Sequence, residues 1–162
     1  MSGENLKQWL KTEQQLLPAI VLDRMNMTLS NEDLKEFSSL LSQDLENGDT
    51  DKVVELFKYN KTLYETLGKM LSEGSMFVRL GVNMLLEDLR EEKPEDMKYA
   101  LPQIIPLLQN ENATIRGDAA DIIGMIGSSE HISILKPLLE DEHSQVREIV
   151  AEAMDNLKDN VQ

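Results

Sequence analysis

The chain has 162 residues, enough for one domain with a sizeable core or for a short array of repeated units, and too few for two ordinary domains. Thirty acidic against sixteen basic residues leave a net charge of −14, which argues against an electrostatic grip on nucleic acid or anionic lipid and makes any charge-driven partner basic. The absence of cysteine removes disulfides, thiolate metal sites and thiol nucleophiles, and 4% aromatics leave little for stacking on bases or sugars.

In chain order, residues 1–20 mix charged and amide side chains among the apolar ones. They give no uninterrupted signal-peptide core, and no apolar run approaches a bilayer span, so the expected compartment is the cytoplasm and no membrane contact is expected. Apolar residues recur at steps of three and four almost everywhere while alternating β-branched runs are absent, so the expected class is all-α. Leu6, Trp9, Leu10, Leu16, Leu17, Ile20 and Val21 share one helical face, with Pro18 bending or dividing the segment. A connector over residues 22–30 follows. Ser30 then caps a helix whose stripe is Leu34, Phe37, Leu40, Leu41 and Leu45, stopped by Gly48.

Asp49 or Thr50 opens a third helix with the face Val53, Leu56, Phe57, Leu63, Tyr64, Leu67 and Leu71, read as continuous from 53 to 71. Beyond the turn at Ser72-Glu73-Gly74, shorter helices are predicted at about 75–90, 95–109, 112–126, 130–140 and 144–158, each boundary marked by turn residues.

Three of these segments align on a β-branched residue followed by arginine: Val78-Arg79, Ile115-Arg116 and Val146-Arg147. Taking the β-branched residue as offset zero, apolar residues recur at offsets 4, 7, 8 and 11. They are Val82, Leu85, Leu86 and Leu89, then Ala119, Ile122, Ile123 and Ile126, then Val150, Ala153, Met154 and Leu157. These offsets fall within about 100° of arc, one core-facing stripe with the arginine at its edge. A further apolar helix precedes each of the three. Such a hairpin covers its apolar face only by stacking on its neighbours, which makes an array of hairpins the expected architecture.

The phrases at 101–127 and 132–157, with an apolar first helix, an Asp or Asn turn and then V-R-x-x-A-x-x-A-L, resemble HEAT repeats of the short phycobilin-lyase-type variety. The resemblance implies an alpha-alpha superhelix of three helical hairpins, at about 51–90, 94–127 and 129–158 within residues 49–162. Residues 1–48 are then an N-terminal helical cap or a degenerate repeat. It also implies a structural ladder of polar residues between repeats, with Asn110 beside Arg116 and Asp141 beside Arg147, while Glu73 before Arg79 departs from the pattern.

Arrays of this kind present their second helices to other proteins. Opposite the core stripe, offsets 2, 6 and 9 read Leu80, Met84 and Glu87; Gly117, Asp121 and Gly124; Glu148, Glu152 and Asp155. The first set is largely apolar, the second small and open, the third acidic. The charge follows the same gradient, at −5 over residues 1–90 and −9 over 91–162. The expected function is a non-catalytic scaffold or adaptor that holds a basic or amphipathic segment of a partner protein, with no cofactor and no metal. Ordinary solvation explains exposed carboxylates equally well, and Leu80 and Met84 suit contacts with the N-terminal helices too.

Enzymatic readings stay open beside it. The iron-binding HEAT family that resembles deoxyhypusine hydroxylase uses His-Glu pairs on successive helices. This chain has Glu130-His131 and Glu142-His143, reversed and in turns. The lyase resemblance extends to the repeats and to no chromophore pocket, and a purely structural role in a larger complex is the third reading.

Overall fold

The structure is a computed structural model that describes residues 30–159; the expected helix over 6–21 and most of the connector after it lie outside the described residues. Among the described residues there are eight α-helices and no strand, as the apolar periodicity predicts. Helix α1 spans Asn31–Glu46, α2 Thr50–Tyr59, α3 Leu67–Glu73, α4 Met76–Glu92, α5 Met97–Ile104, α6 Ala113–Ile126, α7 Ile132–Leu135 and α8 Ser144–Asp159.

Helix α1 starts and stops where its side chains dictate. The Ser30 hydroxyl accepts from the Asp33 amide at 3.2 Å while the Asp33 carboxylate accepts from the Ser30 amide at 3.2 Å, a reciprocal cap. At the other end Gly48 takes φ 85°, where a side chain is strained. Its amide donates to the Leu45 carbonyl, and that of Asp49 to the Asp44 carbonyl.

The helix expected over 53–71 is broken in two. Asn60 is buried in extended backbone, φ −138° and ψ 98°, and its side chain accepts from the Thr62 amide at 3.1 Å. An asparagine that offers its own oxygen to the following amide competes with the helix, so α2 ends there and a 3₁₀ turn over Lys61–Thr66 leads into α3. The first hairpin thus begins near 61, and α2 is a separate helix packed on α4.

The other two first helices are also short. Helix α5 lies between 3₁₀ turns Pro94–Asp96 and Ile105–Gln109, and α7 between Ser129–His131 and Lys136–Glu140. Pro106 and Pro137 lack the amide that an α-helical bond at those places needs, and the chain tightens instead. The second helices α4, α6 and α8 run unbroken and stack in sequence, each on its own first segment. The aligned stripe is their inner face: every one of its residues is buried except Met154, which is half-buried. Helix α1 packs on α3 and α4, at one end of the described stack.

Between α2 and the first hairpin, Tyr64 packs edge-on against Phe57 at 5.1 Å and leans on Tyr99 at 6.0 Å. Its hydroxyl is buried with no hydrogen-bond partner among the described residues, and burial raises its pKa, with Asp96 and Glu95 adding to the rise. An orphaned hydroxyl costs its desolvation without return, so Tyr64→Phe is expected to leave the urea midpoint unchanged or raise it, by up to about 1 kcal/mol. A clear loss of stability would mean that the hydroxyl is satisfied in solution.

Candidate functional site

Each repeat arginine is held by the turn that precedes it. Arg116 Nη1 donates to the Asn110 carbonyl at 2.8 Å and the Glu111 carbonyl at 3.1 Å. Arg147 Nη1 donates likewise to the carbonyls of Asp141 at 2.6 Å and Glu142 at 3.2 Å, and Arg79 Nη1 to that of Gly74 at 3.2 Å. The Asn110 and Asp141 side chains shape these turns by accepting from the amides two residues on, Asn112 and His143, at 2.9 Å. The expected pairs therefore meet through backbone carbonyls, because each turn side chain is engaged with its own backbone.

The rungs run from one repeat to the next. Arg116 Nε and Nη2 grip the two carboxylate oxygens of Asp141, one repeat on, at 2.8 and 2.9 Å. Both side chains are about nine-tenths buried. The bonds from Arg116 hold the Asp141 carboxyl down at about 2, and the same contact raises Arg116. In the preceding rung the turn residue is the neutral Asn110, and Arg79 Nε reaches past it to Asp118 on α6 at 2.6 Å. Asp118 is raised because burial outweighs the pull of Arg79. Glu73 pairs with Lys69 at 2.6 Å and takes no part. Arg147 has no carboxylate partner among the described residues, so the last rung is open.

The outward residues divide differently from the sequence expectation. Leu80, Met84 and Glu87 on α4, Asp121 on α6, and Glu148, Glu152 and Asp155 on α8 are all exposed. Gly117 and Gly124 are buried, which corrects the reading of the middle helix as open. A Cβ on Gly124 would stand 2.6 Å from the Cα and Cβ of Ala153, and one on Gly117 3.1 Å from Ile149 Cδ1. These glycines are where α8 closes on α6. The acidic face is also partly tied down. Asp121 accepts from Asn83 Nδ2 at 3.0 Å, and Asp155 from Lys158 Nζ at 2.7 Å. The sequence reading missed Met76 and Phe77, which are exposed beside Leu80; the step of four through Met76, Leu80 and Met84 was the available signal.

The histidines are occupied locally. The Ser128 amide donates to His131 Nδ1 at 3.1 Å, closing the start of the last hairpin, and His143 lies 3.5 Å from Glu142. Asp121, Glu152 and Asp155 do not converge, and among the described residues no group of three His, Asp or Glu is placed to hold a metal. No described helix is long and apolar enough to cross a membrane.

Comparison with curated proteins finds no match. Among solved structures, the chain is similar to a crystal structure of an engineered protein from the Northeast Structural Genomics Consortium. The two share 18% identity and a TM-score of 0.50 over 87% of this chain, and the match spans 62% of that one. At that identity the likeness is one of fold. The sequence model of HEAT repeats matches residues 64–155, more than half of the chain. With its stacked hairpins and its arginine between successive turns, the chain belongs to the HEAT repeat family.

Proposed function

We propose that the chain is a non-catalytic protein-interaction scaffold that holds a basic segment of another protein along the outward face of its second helices. HEAT repeats suggest such a role in general. What supports this particular face is one contrast: while the inner stripe of each second helix is buried, the outward positions hold the exposed acids Glu87, Asp121, Glu148, Glu152 and Asp155. A basic segment lying there would be drawn in by charge and held weakly by each contact.

Reversal of Glu148, Glu152 and Asp155 to lysine tests this. The three side chains are exposed, so the circular dichroism spectrum is expected to stay unchanged. Binding of a labelled amphipathic leucine–lysine peptide is expected to weaken at least about tenfold and to lose much of its salt dependence. Unaltered affinity in the triple variant would rule this face out.

A further inference from the structure

Four large apolar side chains stand in water on one face of α4. Met76, Phe77, Leu80 and Met84 are 64%, 63%, 58% and 49% exposed. Met76, Leu80 and Met84 follow at steps of four, and Phe77 lies three residues before Leu80 and seven before Met84, so the four form one strip about two turns long. The strip is particular to this helix: the positions of Leu80 and Met84 hold Gly117 and Asp121 on α6, and Glu148 and Glu152 on α8. Helix α1 covers a neighbouring face, with Leu45 against Gly81. Past Met84 the surface turns acidic, with Glu87, Asp88 and Glu91 exposed. A contiguous run of large exposed apolar side chains rimmed by charge is characteristic of an interaction site.

We infer that this strip anchors an amphipathic helix of a partner protein, its apolar side on Phe77, Leu80 and Met84 and its lysines or arginines over Glu87, Asp88 and Glu91. The inference rests on the scaffold reading above and adds the anchor and the shape of what binds. Charge decides against a second copy, since each chain carries −14 and the flanks of the strip would repel their own kind. Area decides the same way. Two helical turns supply well under the roughly 800 Å² per partner of a stable protein–protein interface, yet match the anchors that a short helix presents at every third or fourth residue. Methionines at both ends can adjust to the incoming side chains, and Phe77 supplies the rigid aromatic contact that dominates such interfaces.

The test measures fluorescence anisotropy of a labelled helical peptide of about 14 leucines and lysines, about 21 Å long, against the full chain. A leucine–glutamate peptide serves as control. The leucine–lysine peptide is expected to bind and the control to fail, and Phe77→Glu and Leu80→Glu are each expected to weaken binding at least about tenfold with unchanged circular dichroism. If both variants keep full affinity while the α8 charge reversal abolishes it, the strip is overturned and the acidic face stands. No binding of either peptide overturns both. A dimer seen by light scattering that Phe77→Glu dissociates would overturn the inference by assigning the strip to a second copy. A red shift of Trp9, the single tryptophan, on Leu80→Glu would overturn it by assigning the strip to the chain's own N-terminal residues.

Discussion

Arg116→Ala is expected to lower the melting temperature more than the same change at Arg79 or Arg147. Arg116 makes two bonds to a buried carboxylate and two to turn carbonyls, so its loss leaves Asp141 charged, buried and without its cation. Breaking a buried pair from one side costs about 3 kcal/mol, or roughly 10 °C for a domain of this size. Arg79 holds its carboxylate through Nε alone and at a less buried site, the two side chains being 20% and 34% exposed, and a loss of about 1 kcal/mol is expected there. Among the described residues Arg147 binds turn carbonyls only, so its loss strands no carboxylate there. Thermal melts of the three alanine variants check the order, and equal losses would refute the account of the rungs.

The same pair gives a pH signature. Asp141 has a folded pKa of about 2, below the value of about 3.9 for an unfolded aspartate. A depressed carboxylate stabilises the fold fully above its unfolded pKa and loses that contribution as the pH falls through its folded one. The wild type is therefore expected to lose this contribution between about pH 4 and pH 2, and its advantage over Arg116→Ala, constant near neutrality, to shrink as the pH falls and to be smallest near pH 2. Urea titrations at several pH values measure it. Asp118, raised by burial, contributes in the opposite sense: protonation relieves its desolvation, so the fold gains from this group as the pH falls although the ion pair with Arg79 is given up.

Gly124→Ala is expected to destabilise the protein by about 2 kcal/mol, although alanine is the better helix former by about 1 kcal/mol. The new methyl would stand 2.6 Å from the Cα of Ala153, which is backbone and cannot rotate away, so α6 and α8 must separate along their contact. Gly117→Ala makes the control. Its Cβ would meet only the Cδ1 of Ile149 at 3.1 Å, the far end of a flexible side chain, so the helix-propensity gain survives and stability holds or rises by about 0.5 kcal/mol. Urea midpoints of the two variants at unchanged slope decide the matter. Similar behaviour of both would show that the helices are not in close contact at Gly124.

The inner stripe was readable from the sequence because all its members lie on one helix, where a period of 3.6 converts spacing into direction. Val78, Val82, Leu85, Leu86 and Leu89 share a face whatever packs against them. The partner of an arginine was not readable in this way. Arg116 and Asp141 are 25 residues apart, and their meeting depends on the register of one hairpin on the next. The family resemblance implied Asn110 with Arg116; the turn geometry gave that contact to the backbone and left the guanidinium edge for the following repeat. The break at Asn60 had a signal in the side-chain oxygen that asparagine offers to a nearby amide. Strong apolar periodicity on both sides hid it.

The outward face shows the same division. Leu80, Met84, Glu148, Glu152 and Asp155 were placed outward by angle alone, and they are exposed. Gly117 and Gly124 were placed outward by the same angle and are buried, because α8 crosses α6 closely enough to cover them.

By itself, then, the sequence determined the class, the family and the core stripe of each second helix, since these follow from local periodicity and from a motif contained within one hairpin. Tertiary structure alone decided which carboxylate each arginine receives and which outward positions a neighbour covers. Those outcomes depend on the distance and register between helices, and no spacing along a single helix encodes them.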